Sequence, residues 1–94
     1  TVNTPELRIE MNEGEHHTLI QELVANGNFS GGSVCNIDGV RVDFEDGFGL
    51  ERASNTTPTV ILRFEADTAA ALERIQDLSR AQILALRPTL TLPF

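Results

Sequence analysis

From Glu6 to Met11 the chain alternates strictly, with Leu7, Ile9 and Met11 set against Glu6, Arg8 and Glu10. A period of two puts one set on a buried face and the other in water, which predicts a half-buried strand. After Asn12 to Gly14 the period lengthens. Over Glu15 to Ala25, Leu19, Ile20, Leu23 and Val24 share one helical stripe, acids cluster near the start, and Asn26-Gly27 offers a left-handed stop. His16 and His17 fall in the first turn, at an exposed helix start. Asn28 to Gly32 reads as loop. Ser33 to Ile37 and Val40 to Phe44 then flank Asp38-Gly39, a pair that favours a tight hairpin, with Val40, Val42 and Phe44 inward and Arg41 and Asp43 in water. Asp46-Gly47 supplies a second turn into a strand over Phe48 to Ala53. Thr59 to Glu65 is the most strand-like run, with Val60, Leu62 and Phe64 on one side, Ile61 and Arg63 on the other, and both faces read as covered. Asp67-Thr68 caps a final helix whose apolar stripe is Leu72, Ile75, Leu78, Ile83 and Leu86, and Pro88 ends it. Leu90, Leu92 and Phe94 make the tail apolar enough to dock.

The order strand, helix, four strands, helix contains no repeated strand-helix-strand unit. It predicts an α+β domain over residues 1–94: one mostly antiparallel sheet of about five strands with two helices packed on one face. A chain of 94 residues can bury a single core. No apolar run approaches the roughly 20 residues that span a bilayer. The chain opens at Thr1, with neither Met nor a secretory pattern, and reads as a piece of a longer polypeptide.

Charge narrows the partners. Fourteen acids against seven bases leave a net charge of −7, a poor basis for binding nucleic acid or anionic membranes. Every base is an arginine, so lysine phosphate loops and Schiff-base chemistry are excluded. The single Cys35 cannot close an internal disulfide and fits a reducing, cytoplasmic setting, where it reads as a small strand residue.

Chemistry concentrates in Arg52-Ala53-Ser54-Asn55-Thr56-Thr57-Pro58. A dianionic phosphate wants a planar cation that grips it bidentately, short neutral donors and free backbone amides. This run offers all three between two strands. Ser, Asn, Thr and Pro are also ordinary turn formers, and composition alone leaves both readings standing. Arg63, on an otherwise apolar strand, either serves a site, pairs with a neighbouring acid or snorkels to an edge. Elsewhere the signals are thin. Adjacent His16 and His17 point about 100° apart and do not readily share a metal. Asp43, Glu45 and Asp46 read as a solvated rim, the glycines of 28–32 are followed by no lysine or helix, and no base is placed to activate a Ser, Thr or Cys nucleophile. Catalytic and metal-ligating residues are therefore not assigned. Binding remains, either within a larger enzyme or as a stand-alone α+β ligand-binding or protein-interaction module.

Asp38-Gly39-Val40-Arg41-Val42, Gly47-Phe48-Gly49-Leu50, the loop Arg52 to Pro58, and Arg63-Phe64-Glu65-Ala66 together resemble the C-terminal domain of the α-D-phosphohexomutase superfamily, over nearly the whole chain. Many members carry Pro at the place of Ala53 and Glu at that of Thr57. The resemblance implies the TBP-like fold of that domain and a longer, four-domain, magnesium-dependent cytoplasmic enzyme. It would move a phosphoryl group between O1 and O6 of mannose or glucose phosphates through a hexose 1,6-bisphosphate, supplying exopolysaccharide and lipopolysaccharide precursors. It further implies that Arg52, Ser54, Asn55 and Thr56 hold the phosphate not being transferred, that Thr57 adds to the loop and that Arg63 supports it. The partners implied are the hexose phosphate and the other domains of the same polypeptide. Phosphoserine and magnesium ligands would lie in those other domains, leaving this one without a cofactor and inactive alone.

Overall fold

A computed structural model describes residues 1–94. The chain forms β1 (Val2–Asn3), β2 (Leu7–Glu10), α1 (Glu15–Asn26), β3 (Ser33–Cys35), β4 (Val40–Phe44), β5 (Gly47–Ala53), β6 (Thr59–Ala66) and α2 (Ala69–Leu86). Every strand pairing is antiparallel and the order is β1-β6-β5-β4-β3, with β2 also on β6. The sheet thus has six strands rather than about five. The addition is β1, which lies end to end with β2 along β6: β2 covers Thr59 to Leu62 and β1 covers Glu65 and Ala66. Between them Pro5 has no N–H to give, and Thr4 bridges the gap by donating its N–H to Phe64 O at 2.9 Å and accepting from Phe64 N at its hydroxyl, at 3.2 Å.

The period-two pattern becomes the two faces of this sheet. Ile9, Val40, Val42, Val60, Leu62 and Phe64 point to one side, where Leu19, Ile20 and Leu23 of α1 and Ile75 and Ile83 of α2 meet them in one continuous core. Burying a side chain of this size stabilises the fold by roughly 1.5–3 kcal/mol. The other face carries Arg8, Arg41, Leu50, Arg52, Ile61 and Arg63, and no helix covers it. The expectation that β6 is covered on both sides is therefore half right. Ile61 is only 6% exposed, with Arg8 and Arg52 as its cross-strand neighbours on either side, whereas Arg63 is exposed.

Local chemistry explains three further departures. His16 is buried, at 2% exposure, while His17 is in water. Position 16 lies three and seven residues before Leu19 and Leu23, so it belongs to the inward stripe of α1. The helix ends at Gly27 in extended conformation (φ −64°, ψ 143°), not left-handed. Glycine is needed there for space, since a Cβ would strike Leu23 O and the Phe29 ring. The β3–β4 hairpin is also looser than a two-residue turn, because β3 stops at Cys35 and residues 36–39 make the connection. Only Gly39 adopts a positive φ there, 128°, and a Cβ at this position would strike Glu51 O and crowd Cα and Cβ of Arg52.

α2 begins as expected, with the Thr68 hydroxyl accepting from Ala71 N at 3.1 Å, and stops at Leu86, where Arg87 leaves the helical conformation ahead of Pro88. Arg74 donates twice to Asp46, at 2.5 and 2.8 Å, tying α2 to the β4–β5 turn and holding that carboxyl below its usual range. The tail docks as anticipated: Leu90, Leu92 and Phe94 pack on the core and Phe94 lies 5.1 Å from Phe64, ring to ring.

One buried polar pair was not foreseen. Glu51 sits on the inward side of β5 with 3% exposure, and Ser79 of α2 donates its hydroxyl to Glu51 Oε1 while Oε2 has no partner. Burial raises the Glu51 carboxyl from 4.5 to about 8, so it is a neutral acid at pH 7. The sign follows from proton binding: between these two values the folded chain keeps a proton that the unfolded chain has lost. Stability therefore falls as pH rises through this window, by up to about 5 kcal/mol, and levels off above it.

Two outcomes are expected. Thermal unfolding of Glu51→Gln should match the parent chain near pH 4.5 and gain on it progressively up to pH 8, and a difference independent of pH would mean that Glu51 is not held neutral. Gly39→Ala should lose about 1–3 kcal/mol in urea unfolding, from the strained dihedral and the clash with β5. Unchanged stability would show that the hairpin does not press on the strand carrying Arg52.

Candidate phosphate-binding site

The last residues of β5 and the connection to β6 form a closed loop at one end of the sheet. Ser54 N donates to Thr59 O and Thr59 N to Thr57 O, each at 2.8 Å. Met11 N donates to Pro58 O at 2.8 Å, pinning the loop exit to the segment that leads into α1. Ser54 is the inner post of the loop: it is 6% exposed, and its Oγ accepts from Thr56 N at 3.3 Å and Thr57 N at 3.4 Å. The hydroxyls of Ser54, Thr56, Thr57 and Thr59 form a chain with spacings of 3.0–3.3 Å. Asn55, Thr56 and Thr57 face outward and are exposed. Bonds of 3.3–3.4 Å are long, and the Thr56 and Thr57 amides lose little by exchanging them for short charge-assisted bonds to an oxyanion.

The arginines divide sharply. Arg8 pairs with Glu6, Arg41 with Asp43, Arg74 with Asp46, Arg80 with Asp77, and Arg87 with both Glu15 and Glu22. Arg52 and Arg63 have no acidic partner. In the β5–β6 ladder Arg52 faces Ile61 and Arg63 faces Leu50. The two are thus diagonal neighbours on the open face, a spacing of about 7–8 Å. Arg63 is therefore not the ion-paired strand residue that one reading of the sequence allowed.

Arg52 separates two clefts. One, of about 500 Å³, runs between α1, the hairpin tip and the loop, and is bordered by His17, Gln21, Asp38, Arg52 and Asn55. The other, of about 350 Å³, opens on the uncovered sheet face beside Cys35, Ile37, Arg41 and Leu50. The six predicted residues thus fall into two groups. Arg52, Ser54, Asn55, Thr56 and Thr57 lie together in the loop, and Arg63 stands one strand away with its cation directed to the same face. Sequence reasoning passed over His17, Gln21 and Asp38 as members of this cleft. Topology held the signal: β2 runs antiparallel to β6, so the end of β2 and the start of α1 must arrive where β6 begins, beside the loop.

No group of three or more His, Cys, Asp or Glu side chains is arranged to hold a metal ion. Asp43 and Asp46 are each engaged by an arginine. No helix is long and apolar enough to cross a membrane. What the site can offer is a guanidinium, a carboxamide, hydroxyls and amides around an open space, a donor set suited to an oxyanion.

Comparison with known proteins gives a single answer. Residues 6–82 match the family model described as phosphoglucomutase/phosphomannomutase, C-terminal domain. A phosphoglucomutase of Neisseria gonorrhoeae is 55% identical over 85 residues, covering 88% of this chain and 18% of the relative. A phosphomannomutase/phosphoglucomutase of Pseudomonas putida is 45% identical over 93 residues, covering 99% of this chain and 20% of the relative. The crystal structure of a phosphoglucomutase/phosphomannomutase family protein from Burkholderia thailandensis superimposes with a TM-score of 0.89 at 50% identity, over 99% of this chain and 19% of that one. The chain spans about a fifth of the length of these relatives, 18–20%. With its sheet, its two helices and its loop all accounted for by that match, the chain belongs to the phosphoglucomutase/phosphomannomutase family, as the C-terminal domain.

Proposed function

We propose that this domain grips the phosphate that is not being transferred, within an enzyme that interconverts the 6- and 1-phosphates of mannose or glucose through a hexose 1,6-bisphosphate. The observation that carries the reading is the isolation of Arg52: in a chain of net charge −7, its guanidinium is left without an acid beside a loop of exposed neutral donors. Holding an idle phosphate needs no acid, base or metal. It needs a grip that works equally for a 1- and a 6-phosphate, because the intermediate must present either end.

In this reading the Arg52 guanidinium takes two phosphate oxygens, and the Asn55 carboxamide and the Thr56 and Thr57 hydroxyls and amides surround the rest. Ser54 acts from inside: its buried hydroxyl accepts from the Thr56 and Thr57 amides and so holds the turn in shape until an oxyanion takes those donors over. Arg63 adds a positive field along the open sheet face. The other four-fifths of such an enzyme would supply the reacting groups and the magnesium ligands, so the domain alone is inactive. With the loop at one end of the sheet, swinging the domain as a body would bring it over the substrate and close the active site. The setting for such sugar-phosphate chemistry is the cytoplasm.

Titration of the chain with glucose 6-phosphate, followed by backbone and arginine side-chain NMR, should shift residues 52–57 first, with millimolar affinity at best. Arg52→Ala should abolish the response while leaving the fold intact. In the full-length enzyme the same substitution should lower kcat/KM by on the order of 10²-fold or more, as expected for loss of a charge-assisted bidentate contact. Shifts centred away from the loop, or a near-normal kcat/KM, would defeat the reading.

A further inference from the structure

Three separate elements converge on the cleft beside Arg52: the β5–β6 loop through Asn55, the hairpin tip through Asp38, and the first turns of α1 through His17 and Gln21. From the charge and exposure of these residues, and resting on the phosphate reading above, we infer that His17 is a second cation of the anion site, donating to the bound dianion when its imidazole is protonated.

The case begins with placement. His16 and His17 are neighbours in sequence and their ring centroids lie 4.1 Å apart, yet their surroundings are opposite. His16 is 2% exposed with its Nδ1 unpartnered inside the fold, whereas His17 is in water and lines the same cleft as Arg52 and Asn55. His17 makes no hydrogen bond or ion pair within the chain, so its ring nitrogens are free to serve a ligand. The start of α1 adds to the same field. Its N-cap is Gly14, which offers no side-chain cap, so the first-turn amides and the positive end of the helix dipole lie at this end of the sheet.

Histidine brings what arginine cannot, a charge that changes between pH 5 and 8. The groups facing His17 are few. Arg52 and Asp38 line the same cleft, and the His16 ring lies against that of His17 from its own helix. A dianion bound between Arg52 and His17 neutralises the arginine and draws a proton onto the imidazole. Binding and protonation at His17 are then linked, each strengthening the other.

Sulfate is the appropriate probe, since it stays dianionic across the range in which phosphate itself titrates. In the 94-residue chain, sulfate affinity measured by NMR should be about threefold to tenfold higher at pH 5.5 than at pH 8, and His17→Gln should remove that increase. Saturating sulfate should also raise the titration midpoint of the His17 ring and leave that of His16 where it was. Identical pH dependence in His17→Gln and the parent, or a His17 midpoint unmoved by sulfate, overturns the inference, even where Arg52→Ala abolishes binding and so upholds the loop. Sulfate binding that Arg52→Ala leaves intact overturns the phosphate reading itself and this inference with it.

Discussion

The register of β5 against β6 governs the molecule. Seven pairs run from Gly47 opposite Ala66 to Ala53 opposite Val60, and this ladder decides the direction of every side chain on both strands. With Gly49, Glu51 and Ala53 turned to the helices, Phe48, Leu50 and Arg52 must face the open side. A slip of one residue would set Arg52 opposite Val60 or Leu62, so that either Arg52 enters the core or the apolar side of β6 is turned to water, and the hydrophobic pattern of β6 and the location of the cation enforce each other. The loop closes on the same ladder, because the bond from Ser54 N to Thr59 O extends it by one further rung.

For an acidic chain to bind an anion it would need a local exception to its own charge, and here pairing makes such an exception. Five arginines are committed to carboxylates on the surface or between helix and sheet, where such exposed pairs contribute little stability but do neutralise each other. Arg52 and Arg63 are left with uncancelled charge on one face. At close range an approaching phosphate therefore meets this local field, not the net −7, since the more distant acids are screened by salt within about 10 Å.

Much of this was legible in the chain. Alternation at Leu7, Ile9 and Met11 and over Thr59 to Glu65 located β2 and β6, because a half-buried strand writes its faces directly into the sequence. The Asp67-Thr68 cap and Pro88 bounded α2 for equally local reasons. β1 was invisible: two residues with no apolar alternation become a strand only because β6 is longer than β2. The burial of His16 could be read from its spacing to Leu19 and Leu23, but its polarity argued the other way. The loop residues were legible as a composition, while the free state of Arg52 and Arg63 was not, since it depends on which acids the other five arginines find in three dimensions. Membership of the cleft by His17 and Asp38 likewise required the topology.

Glu51 completes the logic of the site. It immediately precedes Arg52 on β5, and the alternation of the strand sends the carboxyl into the core as the guanidinium turns outward. Ionised, that carboxylate would lie on the order of 10 Å from the cation, and at an effective dielectric near 20 it would oppose a bound phosphate by roughly 1–2 kcal/mol per unit of charge. Burial beneath α2, with only the Ser79 hydroxyl for company, keeps the acid protonated at neutral pH and removes that opposition. The same desolvation that makes Glu51 a weak point of the core at high pH thus leaves the field around Arg52 positive, and a helix packed on one side of the sheet tunes the charge presented on the other.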